Sequence, residues 1–125
     1  MENKYLSLKD LESYRIAYDL SNSIWEIIIT WDYFTKDTVG KQFVRSIDSI
    51  SANIAEGFGR YGKKDKIKFY HYAKGSLQES KDWCEKSKVR KLVTLEQYEK
   101  ISVEIDKLPK AINALIKYTN NNLLT

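Results

Sequence analysis

Four apolar stripes, each with the spacing of a helix face, divide the chain into four segments of similar length. The second stripe is the clearest, since Phe43, Ile47, Ile50 and Ile54 are spaced four, three and four residues apart. Side chains with this spacing share one helix face and pack against other helices in a bundle. With short connections between the segments, the pattern predicts an all-α protein, an antiparallel up-down-up-down four-helix bundle that forms a single domain over residues 1–125.

Capping signals set the predicted helix boundaries. Ser7 with Asp10, and Thr94 with Gln97, have the spacing of capping boxes, in which side chains satisfy free amide groups at a helix start. Pro109 lies inside the fourth pattern, and we expect a kink there because proline lacks an amide donor. The predicted helices run from Leu8 to Trp31, from near Thr38 to Gly57, from Lys64 to Lys91 and from the cap at Thr94 to Thr119, with Tyr33–Val39 as a connection and Asn120–Thr125 as a fraying tail.

The first helix has a wide apolar arc. Its apolar side chains cover roughly half of the helix circumference, which is more than contact with one core requires. Either the whole helix is buried within one bundle, or part of the arc, including Trp25 and Trp31, packs against a neighbouring subunit. The second interpretation predicts a closed homo-oligomer, in which the side of the second helix that carries Asn53 and Glu56 also takes part. Ordinary exposure to solvent is the alternative for that polar side.

The stretch Ala52–Arg60 joins the second helix to the third. Gly57 is predicted to end the second helix, because glycine adopts the left-handed conformation without a steric penalty. Gly75 and Ser76 are interpreted as small residues that allow close packing of the third helix. The residues predicted to hold this junction are Asn53, Glu56, Gly57, Ser76 and Glu79.

The same stretch contains a G-x-G-x-x-G pattern formed by Gly57, Gly59 and Gly62. A dinucleotide site with this pattern needs a strand before the glycines and a second parallel strand after the helix. The residues before Gly57 have helical periodicity instead, so we reject that interpretation. An amide-rich turn that is followed by Lys63 and Lys64 still has the chemistry to hold one phosphate.

The net charge of +4 is concentrated in the middle of the chain. Residues 1–40 carry four basic and seven acidic side chains, residues 41–91 carry thirteen and six, and residues 92–125 carry four of each. A basic region of this size is compatible with nucleic acid or another acidic partner.

Three lysines recur every seven residues in the third helix, at Lys74, Lys81 and Lys88. At a rise of 1.5 Å per residue, this spacing sets them about 10 Å apart along one edge. Repeated around a ring, with further cations at one end, the edge would offer a multivalent surface to a phosphate backbone. Neutralisation by nearby carboxylates and solvent is the alternative. The predicted nucleic-acid-binding residues are Arg60, Lys63, Lys64, Lys74, Lys81 and Lys88.

Residues that carry chemistry are sparse. Cys84 is the single cysteine and His71 the single histidine, so we predict no disulfide, metal site, cofactor or Cys/His catalytic pair. Glu56 and Glu79 are expected to form salt bridges with Arg60 or Lys74 rather than to act as a catalytic pair. No apolar run is long enough to span a membrane or to form an ordinary secretory signal, and we expect a soluble, cytoplasmic protein.

The motifs resemble those of the bacterial 23S rRNA intervening-sequence protein family. The family has a Leu-rich start, which corresponds to Asp10-Leu11-Glu12, and the motif Ser-x-x-Ala-Asn-Ile-Ala-Glu-Gly-aromatic-Gly-Arg, which corresponds to Ser49–Arg60. Its third helix carries Phe-x-x-x-Ala-Arg-Gly-Ser-Leu-x-Glu, represented here by Phe69, Ala73, Lys74, Gly75, Ser76, Leu77 and Glu79. This resemblance spans most of the chain and is most specific in its middle.

The resemblance implies a four-helix bundle that assembles as a ring-shaped homopentamer with a central channel, and it implies a nucleic-acid-binding role. Related bundles are accessory proteins of diversity-generating retroelements, in which a basic pentamer works with a reverse transcriptase and RNA. Two residues depart from the family pattern: Lys74 replaces an arginine and loses its planar fork, and Ser51 stands where proline is common.

Three classes of function are compatible with these features. The first is a non-enzymatic, oligomeric module that binds RNA or DNA, or assists a nucleoprotein. The second is a structural or protein-interaction oligomer without a nucleic-acid ligand. The third is an enzyme, which is disfavoured because no nucleophile with a base, metal-ligand cluster or phosphate loop in its proper context is visible.

Overall fold

The structure is a computed structural model, and it describes residues 6–123. Within this range the chain forms four long helices: α1 (Glu12–Ile28), α2 (Lys41–Phe58), α3 (Lys63–Val89) and α4 (Leu95–Asn122). α1 and α3 each pack against both α2 and α4, so consecutive helices are neighbours around one core. The described residues contain no strand. The predicted all-α, antiparallel up-down-up-down four-helix bundle is confirmed.

The predicted apolar stripes form the hydrophobic core. All four residues of the α2 stripe are at most 1% exposed, and Leu108 and Ile112 of α4 are fully buried. α3 contributes two large side chains to the core, Tyr70 and Leu77. Its other buried side chains are small and allow neighbouring helices to approach: Ala73, Ser80, Cys84 and Ser87. Within residues 6–123, no helix combines the length and the apolar composition needed to cross a membrane.

Both predicted capping boxes are present. The Ser7 amide donates to the Asp10 carboxylate at 2.7 Å, and the pair opens a 3-10 turn (Leu8–Asp10) that leads into α1. At the start of α4, the Gln97 amide donates to the Thr94 hydroxyl at 3.0 Å, and the Thr94 amide donates to the Gln97 side chain at 2.9 Å. Each box therefore provides local partners for some of the amides that a helix start leaves free.

The predicted connection over Tyr33–Val39 is wrong, because all of it is helical. Asp32 accepts a hydrogen bond from the Thr35 amide at 2.8 Å and starts a short α-helical segment (Tyr33–Thr35), which continues as a π-helical segment (Lys36–Gly40) into α2. The connection after α1 is the shorter stretch 29–32. A cap followed by so few residues carries too little periodicity to be recognised in the sequence.

Gly57 does not end α2 in the left-handed conformation, which corrects the prediction. The helix continues through Gly57 to Phe58, and no described glycine has a positive φ angle. Glycine is needed here for another reason: a Cβ atom on Gly57 would lie 2.8 Å from Cε1 of Tyr70 and 2.9 Å from the carbonyl oxygen of Lys66. The absence of a side chain allows α2 and α3 to come into direct contact.

A left-handed residue does occur at the end of α3, where Lys91 has a φ angle of 60°. The Leu92 amide donates to the Ser87 carbonyl at 2.8 Å, and the Lys91 amide donates to the Lys88 carbonyl at 3.0 Å. These two bonds form a Schellman motif, in which the left-handed position is usually a glycine. Lysine therefore carries a steric cost at this position.

α4 runs through Pro109 without interruption and reaches Asn122, so it is three residues longer than predicted. The kink at Pro109 stays a prediction. The last two residues of the tail that we expect to fray lie outside the described range.

The first prediction concerns Gly57. Gly57→Ala is expected to lower the free energy of unfolding by about 1–3 kcal/mol, because its methyl group overlaps Tyr70 and the backbone of α3. Gly75→Ala is the matched control, since a Cβ atom on Gly75 of α3 would meet no atom within 4 Å, and its gain in helix propensity is expected to stabilise the protein by about 0.5–1 kcal/mol. Urea denaturation compares both variants. A Gly57→Ala midpoint equal to that of the wild type would contradict the packing argument.

The second prediction concerns Lys91. Lys91→Gly is expected to raise the free energy of unfolding by about 0.5–1 kcal/mol, since glycine removes the steric cost of the left-handed conformation. Arg90→Gly serves as the control, because Arg90 has a φ angle of −84° and gains no such relief. Thermal denaturation should order the proteins as Lys91→Gly, wild type and Arg90→Gly, from most to least stable. The reverse order would show that Lys91 makes a stabilising contact of its own.

Candidate nucleic-acid interface

The turn between α2 and α3 presents a cluster of cations at one end of the bundle. The Gly59 and Arg60 amides donate to carbonyls at the end of α2, both at 3.1 Å, and α3 begins at Lys63. The whole connection is therefore four residues long, 59–62. We call the segment from Arg60 to Lys64 the cationic turn; Arg60, Tyr61 and Lys64 are exposed, and Gly62 and Lys63 are half-buried.

Arg60 is held in place by two contacts with motif residues. Its Nε atom lies 3.1 Å from the carboxylate of Glu56, which confirms the salt bridge expected for Glu56. Its guanidinium group lies 4.6 Å from the ring centre of Phe69 on α3, within the range of a cation–π contact. Both contacts favour one direction of a side chain that stays partly exposed.

The lysines of the turn differ in their contacts. Lys63 donates to the carbonyl oxygen of Asn120 at 3.3 Å and so connects α3 to the end of α4. Lys64 is exposed and has no hydrogen-bond or ion-pair partner among the described residues. Lys66, just beyond the turn, donates to the Phe58 carbonyl at 2.7 Å and caps the end of α2, and burial lowers its pKa.

The three lysines spaced by seven residues all face α4. Lys74 donates to the Asn113 side chain at 2.9 Å, and Lys88 lies 4.3 Å from the ring centre of Tyr98. Lys81 lines a cavity of about 220 Å³ that also contains Glu85 and Asp106. The predicted common edge is therefore present, and it follows the seam between α3 and α4, where two of its three lysines already have neutral partners.

The predicted junction residues other than Gly57 make local contacts. Asn53 donates to the Ser49 carbonyl at 2.9 Å within α2, and Glu79 accepts from the Trp83 indole at 3.4 Å within α3, not from Lys74. Gly75 is exposed, and Ser76 is half-buried. The bridging of α2 and α3 predicted for Asn53, Ser76 and Glu79 is therefore corrected. The close packing predicted at Gly75 is wrong, because no atom lies within 4 Å of a Cβ built there.

Two serines that carry no distinctive sequence motif connect α2 to α3. The hydroxyl of Ser80 donates to the hydroxyl of Ser46 at 3.0 Å, and both side chains are buried. No sequence signal identifies such a pair, because a serine in a helix is compatible with an exposed face as well as with a buried one.

The two tryptophans of the α1 arc lie in different environments. Trp25 is 51% exposed, and Tyr18 and Ile29 of the same arc are exposed to a similar degree. Trp31 follows α1 and packs against the core close to Gly40. Part of the wide arc is thus buried within the chain and part is exposed on its surface.

The most strongly shifted titratable groups in the described chain belong to the core. Burial raises the pKa of the Cys84 thiol to about 11 and that of the Tyr70 phenol to about 12. Both groups stay protonated at neutral pH, where a nucleophile would need to ionise. The described residues contain no group of three or more His, Cys, Asp or Glu side chains placed to hold a metal ion.

The fold and the site define a small, basic four-helix bundle with a cationic turn. The chain belongs to the 23S rRNA-intervening sequence protein family, whose model matches residues 9–114. Among solved structures, it is similar to a protein of unknown function from the S23 ribosomal protein family of Bacteroides thetaiotaomicron, with 24% sequence identity and a TM-score of 0.74 over 84% of this chain and 98% of that one. At this identity the likeness supports the fold alone. Curated proteins gave no significant match.

Proposed function

We propose that the protein is a non-enzymatic, oligomeric module that binds RNA or DNA through the cationic turn. The observation that carries the proposal is the concentration of Arg60, Lys63 and Lys64 in one turn at the end of the bundle, where Glu56 and Phe69 contact Arg60. Arg60, held in this way, can contact a phosphate with a smaller loss of side-chain entropy than a free side chain.

The lysine edge has a secondary role in this proposal. Lys74 and Lys88 would have to exchange their partners on α4 for phosphate. Lys64 has no such partner among the described residues. Contacts to phosphate carry no information about base sequence, so we expect sequence-tolerant binding that weakens strongly with salt.

The absence of catalysis is part of the proposal, and the core location of the shifted groups supports it. Cys84 is 3% exposed and Tyr70 is 1% exposed, so neither side chain reaches a substrate from outside. A lone reduced cysteine also suits a reducing compartment, and we place this function in the cytoplasm.

We further propose a homo-oligomer, with a pentamer as the form implied by family membership. Trp25, Tyr18 and Ile29 leave an apolar part of the α1 arc exposed, and a neighbouring subunit that covered it would remove this surface from water. The same surface favours the second candidate function, a structural or protein-interaction oligomer without a nucleic-acid ligand. By analogy with related bundles, the protein partner that we propose is a reverse transcriptase.

Binding is tested by titrating a fluorescently labelled RNA at low and at near-physiological salt. We expect Lys63→Glu/Lys64→Glu to weaken binding by at least about tenfold at low salt, and Lys74→Glu/Lys81→Glu/Lys88→Glu to weaken it less. Lys100→Glu/Lys107→Glu is the control for the turn variant, because it changes the net charge equally at lysines that pair with carboxylates on α4. Equal affinities for the turn variant and this control, or no salt dependence, would end the case for the turn.

Assembly is tested by light scattering at micromolar concentration. The wild type is expected at several times the chain mass of 14.7 kDa, and Trp25→Arg is expected to shift the protein towards monomer because a charge then replaces the apolar contact. Val103→Arg, at an exposed apolar position of α4, is the control and should leave the mass unchanged. A monomeric wild type would refute the proposed oligomer, while RNA binding by that monomer would leave the binding proposal standing.

A further inference from the structure

Tyr61, at the tip of the cationic turn, is 97% exposed. Tyrosine normally buries most of its ring, because the ring is apolar and its hydroxyl alone favours water. Tyr70 is an example in this chain, at 1% exposed. Of the large hydrophobic side chains that are exposed within residues 6–123, Tyr61 is exposed to the greatest extent, and no sequence motif marks it.

The charged neighbours of Tyr61 in the turn all have the same sign. Arg60 precedes it directly, and Lys63 and Lys64 follow after Gly62. Consecutive Cα atoms are about 3.8 Å apart, so the Cα atoms of these cations lie within about 12 Å of the Tyr61 Cα atom along the chain. An aromatic ring between cations is the arrangement by which proteins bind an unpaired strand: the base stacks on the ring, and its flanking phosphates meet the cations.

The other aromatic ring near the turn is already occupied. Phe69 lies under Arg60, has Lys68 at 5.5 Å from its ring centre, and meets the ring of Tyr72 edge-on at 5.4 Å. The structure records no ring contact or cation–π contact for Tyr61 within residues 6–123. Phe69 therefore positions Arg60, and Tyr61 leaves a ring face free.

We infer that the cationic turn binds an unpaired nucleotide of RNA or DNA, with the base stacked on Tyr61 and the adjoining phosphates at Arg60 and at Lys63 or Lys64. This inference rests on the proposed nucleic-acid binding and names its ligand class. In a duplex, both faces of each internal base are covered by neighbouring base pairs, so Tyr61 has nothing to stack on there. The turn thus selects single strands over duplexes.

The test compares a labelled oligouridine of about 12 nucleotides with a blunt duplex of equal length, at one salt concentration. Tyr61→Ala is expected to weaken binding of the single strand about tenfold, as removal of one base–aromatic stack does, and to change duplex binding by less than about twofold. Tyr61→Phe keeps the ring and should bind as the wild type does. Tyr33→Ala is the matched control, because Tyr33 is 78% exposed at the opposite end of the bundle.

Salt dependence separates stacking from charge. Tyr61→Ala removes no cation, so the slope of log affinity against log salt should stay that of the wild type, whereas Lys63→Glu/Lys64→Glu should reduce it. Light scattering on Tyr61→Ala should return the wild-type mass.

Three results would overturn the inference. One is a Tyr61→Ala affinity for the single strand equal to that of the wild type or of Tyr33→Ala. Another is an equal loss of affinity of Tyr61→Ala for the single strand and for the duplex. The third is a changed mass of Tyr61→Ala in light scattering, which would assign Tyr61 to a subunit contact. If the wild type bound neither ligand, the proposed function would fail as well, so the two failures are distinguishable.

Discussion

The rest of the structure depends on the close contact between α2 and α3 at Gly57. At this point no Cβ separates α2 from the ring of Tyr70 and from the backbone of Lys66. The buried bond between Ser46 and Ser80 repeats the close approach further along the pair. Since the helices meet so directly where α2 ends, the four residues 59–62 suffice to reverse the chain. A larger distance between α2 and α3 would require a longer loop, and the cations of the turn would then lie on a flexible segment.

Net charge overstates how much positive surface the middle of the chain offers. Its lysines serve several structural purposes: Lys66 caps the end of α2, Lys74 hydrogen bonds to Asn113, and Lys86 pairs with Asp82 at 2.6 Å. Each of these contacts uses a cation that a simple count assigns to a ligand. The cationic turn differs from these lysines chiefly at Lys64, because Arg60 pairs with Glu56 and Lys63 donates to the carbonyl oxygen of Asn120. Lys64 makes no polar contact that the structure describes, and Arg60 keeps its charge exposed while Glu56 and Phe69 favour one direction of its side chain.

Periodicity and capping chemistry were enough to predict the bundle, because both are local and both repeat along the chain. The core stripes of α2 and α4 and the capping box at Thr94 are where the sequence places them. Features that depend on a second helix could not be predicted in this way. Glycine has two uses, a positive φ angle and the absence of a side chain, and only the position of Tyr70 identifies the second one at Gly57. The partners of Lys74 and Lys88 likewise depend on how α4 is aligned along α3, and the apolar pattern of one helix does not predict that alignment.

The geometry of α1 bears on whether assembly and ligand binding compete. In an up-down bundle, the start of α1 lies at the same end as the turn between α2 and α3. Trp25 follows the first residue of α1 by thirteen positions, which is about 20 Å along the helix axis at 1.5 Å per residue. Trp25 and the nearby Ile29 are then separated from the cationic turn along the bundle. Tyr18 lies only about 9 Å from the start of α1, and Glu56 is in contact with Arg60, so the turn stays accessible when the subunit contact is centred on Trp25 and Ile29. A ring built through α1 would place one turn from each subunit at the same end, and several weak contacts at a common distance give an avidity that one turn alone cannot reach.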